Sequence, residues 1–236
     1  MRVIEGGVCA AKGFTANGVH CGIRKNHSKK DLALILSCVP ASAAAVYTTN
    51  LVKGAPIDVT KKNIANGIAR AVICNSGNAN TCNANGIEIA EQMSDLLAAE
   101  LGMDAADVVV ASTGVIGQPL SIDPIAQGLP ALAEGLSMEG GKAAAEGIMT
   151  TDTVKKEVSV SFTIGGKTCH LGGIAKGYIA DKMAEMLRGR VMGAIISLGG
   201  NTYVVGDKPD GSYNSVGVQD PFDATGNLEG VLFCKN

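Results

Sequence analysis

Two apolar stretches, each followed by a loop of glycine and polar side chains, constrain the fold of this chain more than any other feature. Residues 69–74 form an apolar run after a glycine, typical of a central strand, and lead into residues 75–80, which carry several side-chain amides. Residues 108–111 form a second buried strand that ends at residues 112–114. Between them, apolar residues recur at helical spacing behind Asn85 and Glu88, a pair that resembles a capping box. The pattern therefore predicts a strand, a helix and a strand, with a polar loop after each strand.

Further elements are predicted on both sides of this core. Strands are predicted at residues 32–38, 43–47, 56–60, 158–162, 168–171, 194–198, 202–205, 215–219 and 228–234. Helices are predicted at residues 125–136 and 142–149, and along a face formed by Ile179, Met183, Met186 and Leu187. Gly165 and Gly166 are typical of a hairpin turn. The first part of the chain thus mixes strands and helices, whereas the last third is a helix followed by strands.

Composition and charge exclude several classes of function. Aromatic residues make up 3% of the 236 residues and tryptophan is absent, so recognition of nucleic acid by base stacking is not expected. The net charge is −2, and the one basic stretch, residues 24–30, is predicted to be a solvated loop. The 7 cysteines and 3 histidines show no zinc-type spacing, which favours reduced thiols in a cytoplasmic protein. We expect neither a signal peptide nor a membrane-spanning helix, because no apolar run is long enough.

Three short segments carry side chains suited to chemistry. In residues 112–117 a threonine and a glycine follow a buried strand, where a hydroxyl and an N–H suit an oxyanion, although an ordinary turn fits equally well. Residues 149–153 place threonines around Asp152, a cluster that either caps the next element or holds a polar substrate. Residues 172–177 set Lys176 in a glycine-flanked turn, as a surface charge or as a contact for an anionic group. Cys74 and Cys82 are interpreted as bystander thiols rather than nucleophiles.

Taken together, residues 1–177 resemble the first chain of the bifunctional glutamate/ornithine N-acetyltransferases of arginine biosynthesis. The matching stretches are, in family order, residues 11–14, 31–35, 47–53, 75–80, 112–117, 149–153 and 172–177. The resemblance implies an α/β (α+β) fold, a layered α-β-β-α sandwich. It also implies an enzyme that moves an acetyl group between N-acetylornithine and glutamate, or in some members takes it from acetyl-CoA. By this resemblance Thr113 and Gly114 would form the oxyanion hole. Thr153 and Lys176 would contact the amino-acid substrate.

The resemblance breaks beyond Lys176. In the family the nucleophile is a threonine that is exposed when the precursor cleaves itself, and its new amino group can act as a base. The corresponding position holds Glu185 if the local motif is aligned, or Leu187 if the distance from Lys176 is kept. Neither side chain has a hydroxyl. The resemblance therefore implies impaired acetyl transfer, and it predicts that this chain does not cleave itself.

The last part of the chain is similar to a second family, the FAD:protein FMN transferases. The likeness is carried by residues 170–181, 198–201, 208–211 and 216–221. It implies Mg²⁺-dependent transfer of FMN from FAD to a protein threonine, with Lys176 as a flavin contact and Gly173 as a backbone ligand of the metal. His170 stands where that family has an aspartate. Because both likenesses share Gly-Gly-Ile-Ala-Lys-Gly, we predict a chimera with a first-chain-like region at residues 1–171 and an FMN-transferase-like fragment at residues 172–236.

Three functions stay open at this point. The first is the acetyltransferase, which needs no metal and no resident cofactor, and whose partners are amino acids rather than nucleic acid or membranes. The second is the FMN transferase, which needs FAD and Mg²⁺. The third is a non-catalytic fragment that binds amino acids. In each case, unpaired sheet edges and exposed apolar surface predict homo-oligomers or aggregation.

Overall fold

The computed structural model describes residues 2–155, 157–164, 166–173, 183–198, 201–219 and 228–234. The chain divides into two compact units, residues 1–174 and residues 175–236. In chain order, the helices and strands of the first unit are β1 (Arg2–Ile4), β2 (Phe14–Val19), β3 (Leu32–Ser42), α1 (Ala55–Asn63), β4 (Ile68–Asn78), α2 (Gly86–Leu101), β5 (Val108–Val115), α3 (Asp123–Glu134), α4 (Gly141–Gly147), β6 (Val158–Ile164) and β7 (Lys167–Gly173).

The centre of the first unit is a four-stranded mixed sheet in the order β2-β3-β4-β5. The first two pairs are antiparallel, and β4 and β5 are parallel. Parallel neighbours need a crossover connection, and α2 supplies its helical part. The strand, helix and strand predicted between residues 69 and 111 are therefore confirmed.

One face of this sheet carries the main hydrophobic core. Alternate side chains of β3, β4 and β5 point to this face, as the two-residue period of a strand requires, and α1, α2 and α3 cover it. Its largest fully buried members are Leu32, Leu34, Ile73, Met93, Leu97, Val108, Ile125 and Leu132. On the opposite face, Ala16 of β2 and Ala33 of β3 pack against Ala144 of α4. Helices therefore lie on both faces of the sheet.

A three-stranded antiparallel sheet in the order β1-β6-β7 completes the first unit. Its strands β6 and β7 form the hairpin predicted around residues 165–166, with Ser161 opposite His170. The predicted α+β class is confirmed by this combination of a mixed sheet, an antiparallel sheet and helices.

The strand predicted at residues 56–60 is wrong, because these residues lie in α1. Pro56 occupies the first turn of the helix, where a missing N–H removes no intrahelical bond. The Thr60 hydroxyl donates to the Val110 carbonyl at 2.8 Å and accepts from the Val110 N–H at 2.9 Å. An alternation of five residues is too short to separate a strand from one turn of a helix that covers a sheet edge.

Two smaller predictions are also wrong. Residues 43–47 form no strand, and the Val46 side chain is 99% exposed. Instead, β3 continues through Pro40 to Ser42, and its pairing with β4 is interrupted because proline has no N–H to donate to the ladder. Asn85 precedes α2, but its side chain makes no capping hydrogen bond.

In its described residues, the second unit contains a short helix and two antiparallel pairs of strands. Residues 183–187 are helical, β8 (Gly193–Leu198) pairs antiparallel with β9 (Asn201–Gly206), and β10 (Asn214–Gln219) pairs antiparallel with β11 (Leu228–Cys234). Its buried core consists of Ala184, Ile196 and Val205 in the part that the structure describes. The predicted antiparallel strands are confirmed, and so is the predicted helix over residues 183–187, whereas Ile179, predicted on its face, lies outside the described residues. Among the described helices of both units, none has the length and apolar character needed to cross a membrane.

Candidate active site

The two polar segments predicted as loops lie largely within strands, because β4 continues to Asn78 and β5 to Val115, and they meet at one edge of the central sheet. Because β4 and β5 are parallel, their carboxyl ends lie side by side, the position where open sheets of this kind bind ligands. The register places Asn75 opposite Ser112, Ser76 opposite Thr113 and Gly77 opposite Gly114. Two segments that the sequence located separately therefore lie side by side.

Two glycines allow the strands to approach closely there. Gly114 has φ 138° and Gly77 has φ 98°, both in the region that favours glycine. A Cβ atom on Gly114 would lie 2.3 Å from the Gly77 carbonyl carbon and 2.5 Å from the Asn78 nitrogen. A Cβ atom on Gly77 would lie 2.8 Å from Cγ of Arg24. Neither position has room for a side chain.

Thr113 and Gly114 present donors at this edge. Thr113 is half-buried and Gly114 is exposed. The Thr113 hydroxyl makes no hydrogen bond to any part of the chain that the structure describes. A hydroxyl beside a backbone N–H at a glycine turn can donate two hydrogen bonds to one oxygen atom that gains negative charge.

A network of side-chain amides holds the loop at residues 75–80 in place. Asn75 is fully buried, donates through Nδ2 to the Asn78 carbonyl at 2.9 Å and accepts from the Ser112 hydroxyl at 2.6 Å. Asn78 donates to the Gln118 carbonyl at 3.0 Å, and Asn80 donates to the Gly86 carbonyl at 2.8 Å. These bonds connect the ends of β4 and β5 to the start of α2. The run of amides was visible in the sequence, but its role as internal scaffolding was not.

The end of α4 and the start of the segment at residues 149–153 are bonded to Ser76 of β4 and to Arg24. The Ser76 hydroxyl donates to the Gly147 carbonyl at 2.6 Å, and the Arg24 guanidinium donates to the Met149 carbonyl. The Asp152 carboxylate accepts from the Thr150 N–H at 3.2 Å, a bond within the cluster itself rather than to the next element. Thr153 is exposed.

A buried carboxylate shapes the loop that carries Arg24. Asp31, directly before β3, is fully buried and accepts the N–H groups of Cys21 at 2.6 Å and Arg24 at 2.9 Å, with His20 Nδ1 at 3.2 Å from Oδ2. Residues 25–29 are exposed, as predicted for a solvated loop, but Arg24 is half-buried against Gly77. The solvated-loop prediction is therefore wrong for Arg24. In the sequence, the only signal for the burial of Arg24 was its position close to Asp31.

The cysteines near this edge are poor nucleophiles. Burial raises the pKa of the Cys74 thiol to about 12. Burial, with the Asp31 carboxylate second, raises the pKa of Cys21 to about 12. The thiolate is the reactive form, so both groups are largely unreactive near neutral pH. Within the described ranges, no three histidine, cysteine, aspartate or glutamate side chains cluster in a way that could hold a metal ion.

Comparison with known proteins identifies the family. A family model described as the ArgJ family matches residues 15–224. This chain belongs to the ArgJ family. It is 43% identical over 222 residues to the arginine biosynthesis bifunctional protein ArgJ of Symbiobacterium thermophilum, covering 92% of this chain and 55% of that protein. The ArgJ protein of Gloeobacter violaceus is 44% identical over 219 residues, covering 91% and 54%. The chain thus spans about half the length of the curated relatives it matches.

Two solved ArgJ-family structures share the fold. A crystal structure of the arginine biosynthesis bifunctional protein ArgJ from Bacillus halodurans has a TM-score of 0.69 and 42% identity, covering 75% of this chain and 93% of that one. A structure of ornithine acetyltransferase from Mycobacterium tuberculosis complexed with ornithine has a TM-score of 0.68 and 37% identity, covering 75% and 94%. Both support the α+β architecture described above.

The remaining predicted site residues lie on other elements or outside the described residues. Lys176 lies outside the described residues. Glu185 is exposed, and Leu187 packs against the small core of the second unit. On β7, His170 is half-buried and Gly173 is the last residue. The roles inferred from resemblance for all of these residues, and for Thr113, Gly114 and Thr153, stay predictions.

Proposed function

We propose that this chain is a glutamate/ornithine N-acetyltransferase of arginine biosynthesis by descent, and that its sheet edge binds the acetylated amino acid. The observation that carries the proposal is the paired end of β4 and β5, where Thr113 and Gly114 present a hydroxyl and an N–H at a glycine turn in an ArgJ-family chain. An ArgJ-family relative that was crystallised with ornithine supports an amino-acid ligand.

The proposed chemistry follows from the charge that acetyl transfer creates. When a nucleophile attacks the acetyl carbonyl carbon, the carbonyl oxygen becomes an anion. The Thr113 hydroxyl and the Gly114 N–H stabilise it, and each such donor is worth about 10²–10³ in rate in enzymes of this type. Thr153 and Lys176 would contact the polar groups of the amino acid. N-acetylornithine or acetyl-CoA would supply the acetyl group, and the reaction needs no metal or resident cofactor.

We further propose that acetyl transfer by this chain is impaired. Covalent transfer needs a hydroxyl nucleophile, and the two positions that could hold it are Glu185 and Leu187. Loss of a nucleophile lowers kcat by several orders of magnitude, whereas binding depends on other groups. The proposal is therefore that ligand binding survives and turnover is slow.

A second candidate function concerns residues 172–236, for which we infer a separate origin and an FMN-transferase-like role. The division of the chain between residues 174 and 175, and the 75% coverage by both solved structures, favour this inference. The ArgJ family match extends through residue 224 and therefore argues against a separate origin of this part. Incubation with FAD and Mg²⁺ followed by gel filtration tests it: co-eluting flavin absorbance supports the role, and its absence removes it.

We also propose that this chain self-associates. The Val46 and Leu51 side chains are at least 98% exposed in a segment of irregular structure, which exposes apolar surface to water. Light scattering during gel filtration should show a species heavier than 24.0 kDa. A monomer at micromolar concentration would contradict this part.

The central experiment compares two ligands and two variants. N-acetylornithine and ornithine differ by the acetyl group, so Thr113→Val should weaken binding of N-acetylornithine about tenfold, which corresponds to one hydrogen bond, and leave ornithine binding unchanged. Thr163→Val, at an exposed position of β6, is the matched control and should change neither. Isothermal titration measures all four combinations, and an assay with N-acetylornithine and glutamate measures turnover. Absence of binding of both ligands to the wild-type chain would defeat the proposed function.

A further inference from the structure

Arg24 contacts both sides of the proposed site without lying on any of the segments that the resemblance singled out. Its backbone is fixed by the buried Asp31 carboxylate, which accepts its N–H at 2.9 Å. Its side chain then crosses Gly77, where Cγ would lie 2.8 Å from a Cβ atom. Beyond that point the guanidinium donates to the Met149 carbonyl. One side chain thus runs from the loop between β2 and β3, past Gly77 of β4, to the segment after α4.

This path passes the two groups that the proposed reaction uses. Gly77 is the register partner of Gly114, and neighbouring strands lie about 4.8 Å apart. Met149 begins the segment 149–153 that carries Thr153. Arg24 therefore touches the backbone beside the oxyanion donors and also the backbone that leads to the predicted amino-acid contact.

A second bond runs in the same direction but does not replace Arg24. The Ser76 hydroxyl holds the Gly147 carbonyl at the end of α4. Among the described residues that follow Gly147, Met149 is the next one bonded to a residue beside β4, and its partner is Arg24. The Nε atom of Arg24 is buried and has no hydrogen-bond partner among the described residues. A buried donor without a partner lowers the free energy of unfolding by about 1–3 kcal/mol. Arg24 is half-buried and is therefore not an ordinary solvated charge.

We propose that Arg24 is a positioning residue that sets the separation between the Thr113–Gly114 donors and the segment 149–153. The proposal rests on the proposed acetyl-transfer site. It assigns no contact between Arg24 and the ligand. Because the segment carries the amino-acid end of the site and not the acetyl end, loss of Arg24 affects ornithine and N-acetylornithine alike.

The test uses the full chain and three variants. Arg24→Ala removes the bond to Met149, and Arg24→Lys keeps the aliphatic stem over Gly77 and one donor. Arg70→Ala is the matched control, because Arg70 also has a buried Nε with no hydrogen-bond partner in the described part of the chain but lies at the opposite end of β4 from Gly77. Amide hydrogen exchange of residues 150–153 is measured without ligand, and binding of both amino acids is measured by titration.

We expect exchange in residues 150–153 to become at least tenfold faster in Arg24→Ala, and binding of both amino acids to weaken at least tenfold. Arg24→Lys should recover part of each effect, and Arg70→Ala should show neither, even if its melting temperature falls by a similar amount. Unchanged exchange in Arg24→Ala, or equal effects of Arg24→Ala and Arg70→Ala, would overturn the proposal. If the wild-type chain binds neither amino acid, the proposed function fails, and the exchange comparison alone still decides whether Arg24 positions the segment.

Discussion

At the scale of single residues, the candidate site depends on backbone positions that accept no side chain. Gly77 and Gly114 face each other across β4 and β5, and both have positive φ. Their lack of Cβ atoms lets the strands continue side by side up to the point where the donors of Thr113 and Gly114 face outward. The shape of the candidate site therefore depends on the absence of Cβ atoms at Gly77 and Gly114 as much as on the Thr113 hydroxyl and the Gly114 N–H.

Gly114→Ala should destabilise the first unit strongly. The new methyl group would overlap the Gly77 carbonyl carbon and force an alanine into a left-handed conformation, at a combined cost of about 3 kcal/mol or more. Gly117→Ala is the matched control, because Gly117 also has positive φ but a Cβ atom would meet nothing within 4 Å. There only the conformational cost of about 1 kcal/mol applies. Urea unfolding of both variants measures the difference, and equal losses would show that the contact with β4 is unimportant.

The thiols should differ sharply in reactivity. Cys21 and Cys74 have pKa values raised to about 12, so at about pH 8 nearly all of each remains in the unreactive protonated form, and reactivity rises only as the pH approaches 12. Cys38 and Cys82 are exposed. Brief treatment with iodoacetamide, followed by peptide mass spectrometry, should modify the exposed pair first. In urea the four thiols should react at similar rates, and early modification of Cys74 in the folded chain would contradict the prediction.

At the scale of elements, the edge strand β5 is closed by a helix rather than by another strand. Thr60 of α1 bonds both backbone groups of Val110, and Asn63 donates to the Val108 carbonyl at 2.9 Å. These side chains take the place of a ladder partner, which protects the edge from pairing with another chain.

Thr60→Val should therefore cost far more than its small change in shape suggests. Val110 would keep a buried N–H and a buried carbonyl without partners, a loss of about 3 kcal/mol in the free energy of unfolding. Thr163→Val, the same substitution at an exposed position, should change this free energy by less than about 0.5 kcal/mol. Denaturant unfolding compares the two. A Thr60→Val loss as small as the control would mean that water replaces the hydroxyl.

The same elements show what could be predicted from the sequence. β4 and β5 followed from runs of apolar residues, and α2 followed from apolar residues at helical spacing. α1 did not, since its alternating stretch satisfies both periods and Pro56 fits the first turn of a helix as well as a strand end. The glycine loop at residues 112–117 was recognised as a candidate oxyanion site. Its placement beside Gly77, and the part taken by Arg24, depend on contacts between residues far apart in sequence, which local patterns do not encode.

At the scale of the whole molecule, the two units differ in how much core they have. The first unit buries a large cluster under α1, α2 and α3. The buried cluster of the second unit consists of Ala184, Ile196 and Val205 in the part that the structure describes, with Leu187 packed against it. Leu187 is one of the two positions where a nucleophilic threonine was expected. A core contact there, and an exposed glutamate at the other position, give this unit no hydroxyl at either place.

The chain should consequently remain in one piece. By the family resemblance, self-cleavage exposes a nucleophilic threonine, and neither Glu185 nor Leu187 has a hydroxyl. Intact-mass measurement after prolonged incubation should show a single species of 24.0 kDa. A family member that carries the threonine, incubated in parallel, is the positive control. Two fragments from this chain, with a cut before residue 185 or residue 187, would mean that another group performs the attack, and the proposal of impaired acetyl transfer would then fail with it.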